Sequence, residues 1–246
     1  MQPTRTSAPR PDRPYRGVAN AQRVAERRQR FVEAGVRCFG GDGFHATTLK
    51  SLCAQAGLTE RYFYESFASF NELLCVSYRH ASDTVMALIS AAVAGAEPAP
   101  EPRMRIALDT YFKAIAADPA RARLLLFEIE GASLEADAVY RAQLRASADF
   151  IRYRVCEGLP GNPDNGLSPS LLATAMMGAV YQLAKVWALG KFKLPREAVV
   201  KNALAMFTGT IDEWRKPVPA AARGHASRRR SGARPSRTSK STSTSD

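Results

Sequence analysis

The stretch TTLKSLCAQAGLTERYFYESF, residues 47–67, gathers hydroxyls, cations and rings in a pattern suited to gripping a polyanion rather than to breaking bonds. Thr47, Thr48, Thr59 and Ser66 offer hydroxyls to phosphate oxygens, Lys50 and Arg61 offer cations, and Tyr62 and Tyr64 each carry a phenol on an apolar face. Arg61 can also reach guanine O6 and N7 or a phosphate, and Glu60 beside it is a further DNA-binding candidate. Rival chemistries are poorly served. His45, His80 and His225 are scattered, with no cysteine near them at ligand spacing, so no metal site is expected. Glu128 and Glu130 stand two apart, which on a helix turns them away from each other. No nucleophile elbow, glycine-rich phosphate loop or His-Glu-x-x-His run occurs, so neither an enzyme nor a cofactor is expected.

Such side chains need short helices held at a fixed angle, and the punctuation supplies them. Helix 1 is expected after Asn20 as cap, with Phe31, Gly35, Cys38 and Phe39 on its core face and an end at the glycines of 40–43. A second helix starts at the threonine pair and stops at Gly57, where a left-handed residue closes a helix. A third starts at Thr59. Its Phe63 and Phe67, at i and i+4, join Leu58 on the face expected to meet Leu49, Leu52 and Phe39, which leaves Thr59, Arg61 and Tyr62 toward solvent. Ser69, with Glu72 three residues on, opens a fourth. Two short helices about a glycine turn make a helix-turn-helix, the second helix of which enters a major groove.

Phe31-Val32, Ala34-Gly35, Gly43-Phe44, Thr47-Thr48, Leu52, Ala56-Gly57-Leu58-Thr59, Phe63-Tyr64 and Phe67 stand at the spacing of the DNA-binding region of TetR family transcriptional regulators, which residues 28–74 resemble. The resemblance implies a homodimer with an N-terminal three-helix DNA-binding region and a C-terminal helical region for dimerisation and small-molecule binding. It also implies that Thr48 caps the second helix and touches phosphate, that Thr59 caps the recognition helix, and that Tyr64 contacts phosphate. The chain departs from the family where many members have Gly at the place of Arg61, His at that of Ser66 and Lys at that of Phe70. Base preference therefore cannot be carried over from a relative.

The remainder of the chain reads as helical, so the fold class is all-α with about nine helices. Of the 35 Lys and Arg, eight fall in residues 1–30 and eight in 216–246, which leaves 19 cations against 20 acids between. The net charge of +12 thus belongs to the ends, and the expected organisation is a disordered basic arm over 1–19, a DNA-binding domain over 20–68, a ligand-binding and dimerisation domain over 69–215, and a disordered basic tail over 216–246. Arg5, Arg10, Arg13 and Arg16 could reach a minor groove. Cys38, Cys53, Cys75 and Cys156 lack any paired spacing, which fits the reducing cytoplasm.

The apolar run 171–189 has the length of a membrane span, but Gln182 and Lys185 near its middle favour a doubly buried helix at a subunit interface, and no membrane partner is expected. Helices over 169–190 and 195–215 mix small and large apolar residues, as a four-helix dimer interface does. Met86, Tyr111, Phe112, Phe127, Phe150, Tyr153, Met176 and Tyr181 are the candidates to line a cavity for a hydrophobic or amphipathic effector. The expected function is a homodimeric DNA-binding regulator, a repressor on a palindromic operator, released by a small molecule. The rival is a non-specific architectural protein that binds double-stranded DNA through its basic arms.

Overall fold

The computed structural model describes residues 14–157, 159 and 167–216, with side chains from Asn20 onward. Nine α-helices and two π-helical turns fill these residues, with no strand among them. They are α1 (Pro14–Gly41), α2 (Leu49–Ala56), α3 (Glu60–Ser66), α4 (Phe70–Ala94), α5 (Pro100–Ala117), α6 (Pro119–Arg123), α7 (Leu134–Phe150), α8 (Pro169–Leu189) and α9 (Arg196–Arg215). One π turn, Leu124–Glu128, continues α6, and the other, Ile151–Val155, continues α7. Residues 1–13 and 217–246, on which most of the two expected basic arms falls, lie outside the described residues, as does most of the expected loop at 158–166.

Helix α1 does not begin after Asn20. It reaches back to Pro14, whose fixed φ and missing N–H suit a first helical position, so the last six residues assigned to the arm are helical. Phe31, Cys38 and Phe39 are buried as the spacing predicts. At its end α1 runs so close to α6 that a β-carbon on Gly40 would stand 1.9 Å from the Ala120 carbonyl oxygen, a contact only glycine permits.

Caps set the other boundaries. Asp118 accepts from Arg121 N at 3.1 Å with Pro119 at the first position of α6, and Ser168 accepts from Leu171 N at 3.4 Å ahead of Pro169. Ser69 accepts from Glu72 N at 3.0 Å, but the Glu72 carboxylate returns to Ala68 N at 2.8 Å rather than to the cap itself. It also takes Arg28 at 3.2 Å, so it ties α1 to the start of α4. The Ala68 N–H, then Arg28, hold this carboxyl below its ordinary value against the opposing effect of burial.

Helix α4 packs on α1, α5 and α7, α5 also packs on α9, and α7 on α8. Within the single chain α8 is buried on one side: Ala173, Met176, Val180, Ala184 and Trp187 face the core, whereas Leu171, Val186 and Leu189 face outward. Among the described helices, α8 alone is long and apolar enough to cross a membrane, by length and composition.

Candidate nucleic-acid interface and effector cavity

The turn between α2 and α3 is fixed from both ends. Thr48, extended, accepts from Ser51 N at 3.1 Å while Ser51 Oγ accepts from Thr48 N at 3.1 Å. Gly57 takes φ +61°, its N–H donates to Ala54 O at 3.1 Å and Leu58 N donates to Cys53 O at 3.0 Å, which closes α2 and turns the chain. Thr59 occupies the cap position of α3, but its side chain makes no cap hydrogen bond, contrary to the role the resemblance implies.

Phe63 and Phe67 are the anchors. They are buried, and both rings meet Phe31 of α1 edge-on, at centroid distances of 5.7 and 6.3 Å. Phe63 also meets Phe70 at 5.4 Å and Tyr64 at 5.3 Å, and Phe70 in turn meets Phe39 at 6.2 Å. On the opposite side Arg61 is 84% exposed in its side chain, loosely held by Glu65 at 2.9 Å, and Tyr64 is 66% exposed. Thr48, Lys50, Thr59 and Glu60 are also exposed, so these six form one solvent-facing set on the turn and its two helices.

Three expected contacts are placed otherwise. Thr47 is buried and donates to Gly43 O at 2.7 Å, because its hydroxyl closes the preceding turn. Tyr62 is half-buried beneath the Arg27 guanidinium, 4.5 Å above its ring. Ser66 is half-buried, and its carbonyl accepts from Arg28. Sequence reasoning missed the arginines of α1 in this role. Arg28 also stacks on Phe67 at 4.1 Å, and Arg30 donates to Gly57 O at 3.1 Å. Cations that looked like free basic charge instead clasp the turn and both ends of α3. The available signal was their position beside Phe31 on the core-facing helix.

A second feature lies among the long helices. A cavity of about 90 Å3 is walled by Tyr78, Ser82 and Met86 of α4, Met104, Leu108 and Tyr111 of α5, Gln143, Ser147 and Phe150 of α7, and Met177 and Tyr181 of α8. Leu125 of one π turn and Ile151 and Val155 of the other complete it, and no charged side chain lines it. π turns recur at functional sites because the extra residue re-aims side chains.

Met86, Tyr111, Phe150 and Tyr181 line this cavity, and the other four candidates do not. Phe112 is buried against Trp187 at 5.7 Å, and Met176 sits in the core while its neighbour Met177 lines the cavity. Successive residues on a helix point about 100° apart, so composition alone could not choose within these pairs. Phe127 packs on the core outside the cavity, and Tyr153 is exposed under Arg152 at 4.7 Å. Tyr78 and Ser82, one turn apart on α4, were overlooked although their spacing places them on Met86's side of the helix.

Tyr181 donates to the Leu125 carbonyl, and its ring lies 5.8 Å from that of Tyr140. Burial pushes the phenols of Tyr78, Tyr111 and Tyr181 well above the usual tyrosine range, so they remain protonated donors. The same π turn that presents Leu125 to the cavity ends in Glu128. Its carboxylate accepts from Phe44 N at 2.8 Å and Arg123 Nε at 2.8 Å, and Arg123 donates on to Gly41 O. One short segment thus touches both the cavity and the loop that delivers α2.

Residues 31–74 match the family model of bacterial regulatory proteins of the tetR family. No curated protein sequence matches the chain. Among solved structures, the fatty acid degradation regulator FadR from Bacillus halodurans is similar over 73% of this chain and 93% of its own, with 18% identity and a TM-score of 0.65. FadR from Bacillus subtilis, in complex with stearoyl-CoA, is similar over 72% and 96%, with 16% identity and a TM-score of 0.65. AibR, in complex with isovaleryl coenzyme A and operator DNA, is similar over 73% and 97%, with 18% identity and a TM-score of 0.56. The helix-turn-helix thus lies inside the segment that matches the tetR family model, and the long helices share the fold of these solved regulators.

Proposed function

We propose that the protein is a cytoplasmic repressor that binds a palindromic operator as a homodimer and is released by a hydrophobic or amphipathic small molecule. The observation that carries this reading is the joint presence, in one chain, of an exposed DNA-facing set on a rigid aromatic anchor and an uncharged cavity linked to it through the Leu124–Glu128 turn. Residues 20–68 serve as the DNA-binding domain and 69–215 as the effector and dimer domain, with α4 running from one into the other. A twofold pair presents two α3 helices to successive major grooves, about 34–36 Å apart in the simplest arrangement. The outward faces of α8, with Leu171, Gly178, Val186 and Leu189, and of α9, with Met206 and Gly209, suit the pairing, since their large residues lack cover and their glycines admit close approach. The effector acts by its difference in affinity for the DNA-bound and free spacings.

Two of the similar structures hold acyl-CoA, which puts acyl thioesters first among effectors to try. The test is to select fragments of the source genome on the purified protein, then challenge the bound fragments with excess random DNA and with candidate effectors. A regulator retains one palindromic site against random DNA and loses it to an effector. Equal loss to random DNA would instead favour an architectural protein.

A further inference from the structure

Tyr78, Tyr111 and Tyr181 face the cavity, and the Tyr181 hydroxyl gives its proton to the Leu125 carbonyl. Tyr111, on α5, lines the cavity with its ring edge-on to Phe112 at 5.3 Å, and among the described residues no hydrogen bond reaches its hydroxyl. Ser82, buried on the α4 wall, is in the same condition. Hydroxyls that open onto an apolar cavity without a protein partner leave their donors to whatever fills it.

The surroundings restrict that group. No cation or carboxylate lines the cavity. The charged pair beside Tyr181, Lys185 and Glu130, is closed on itself at 2.9 Å, with the ammonium on the ring of Tyr181, 5.1 Å from its centroid. A carboxylate or ammonium carried inside would lose its water without gaining a counter-charge. A pure hydrocarbon would fill the space but leave both hydroxyls unmet. A phenol donates more readily than it accepts, so the missing partner is an acceptor.

We infer that the effector carries a neutral carbonyl-type oxygen within an apolar segment, as an ester, ketone or thioester does, and that Tyr111 and Ser82 donate to this oxygen inside the cavity. The inference rests on the cavity being the effector site. It specifies the class of molecule that site accepts, and it makes Tyr111 the residue that distinguishes a carbonyl compound from a hydrocarbon of the same length.

The test uses the full chain and four probes of one chain length: hexane, hexanoate, methyl hexanoate and hexanoyl-CoA. Binding is followed by calorimetry at neutral pH for the wild type, Tyr111→Phe and Ser82→Ala. Methyl hexanoate should bind about tenfold tighter than hexane, and more than tenfold tighter than hexanoate. Tyr111→Phe, which keeps the ring and loses only the donor, should bring the ester down to the level of hexane while hexane itself is unchanged. Ser82→Ala should cut the ester's advantage in part. Comparison of the thioester with the ester then separates a coenzyme-linked source from a free one, and tight binding of either supports the shared oxygen. Equal or tighter binding of hexanoate, an ester advantage that survives in Tyr111→Phe, or no binding by any probe at millimolar concentration would overturn the inference. Operator binding, measured in parallel, keeps that outcome distinct from failure of the regulator reading.

Discussion

Arg61 is exposed on α3, and its tie to Glu65 is an exposed ion pair four residues apart. Such pairs contribute about 0.3–0.5 kcal/mol, so little holds the guanidinium away from a base edge. Arg61→Ala should therefore leave the melting temperature nearly unchanged. It should weaken operator binding by about 1–3 kcal/mol and relax preference at one base pair of each half-site, which binding to a set of singly substituted operators would show. Tyr62, three positions from Thr59, belongs to a different category. Its place beneath Arg27 gives it packing, so its loss should register in stability before it registers in base preference. The inward rings were legible because Phe63 and Phe67 repeat at helical spacing within one element. The Tyr62 and Thr47 placements were not legible, since each depends on a partner set by tertiary or turn geometry: Arg27 from another helix, and the Gly43 carbonyl of the preceding turn.

Helix boundaries set by caps were readable at Thr48, Asp118 and Ser168, where a hydroxyl or carboxylate precedes the first turn. The π turns were not. The sequence from Pro119 to Glu128 has the apolar spacing of an ordinary helix, and no residue type marks the one-residue register change that points Leu125 into the cavity and Glu128 at Phe44. Glu128→Ala frees the Phe44 N–H without touching the cavity wall. Effector affinity should change less than about twofold, while the factor by which effector weakens operator binding should shrink about fivefold or more, as measured by operator titrations with and without effector. The joint between α1 and α4 has a separate acid sensitivity. Because the Glu72 carboxyl is held below its ordinary value of 4.5 in the folded protein, its contribution is present above that value and is lost as pH falls through the lowered one. The gap in melting temperature between the wild type and Glu72→Gln should accordingly be largest near neutrality and close as the solution becomes acidic.

At the scale of the molecule, the proposed homodimer rests on the uncovered side of α8 and α9. Leu189 is 71% exposed and Val186 is 55% exposed in the single chain. Replacing both with Glu should convert the protein to a monomer by sedimentation, with the helical content and melting of each chain retained. Affinity for a full palindrome should then drop to that for one half-site. The sequence made the apolar character of α8 plain, but not its sidedness, since small residues such as Gly178 sit among large ones and blur the stripe.

All four cysteines are free and buried, and desolvation raises each thiol, that of Cys156 to about 11. A thiol so placed is neither ionised nor reachable at neutral pH, and it reacts only when its surroundings part. Alkylation kinetics thus become a clock for transient opening, one that needs no introduced label. Cys53 in α2 keeps time for the DNA-reading end and Cys156 for the cavity end, so a compound that closes the cavity should slow the second clock whatever it does to the first.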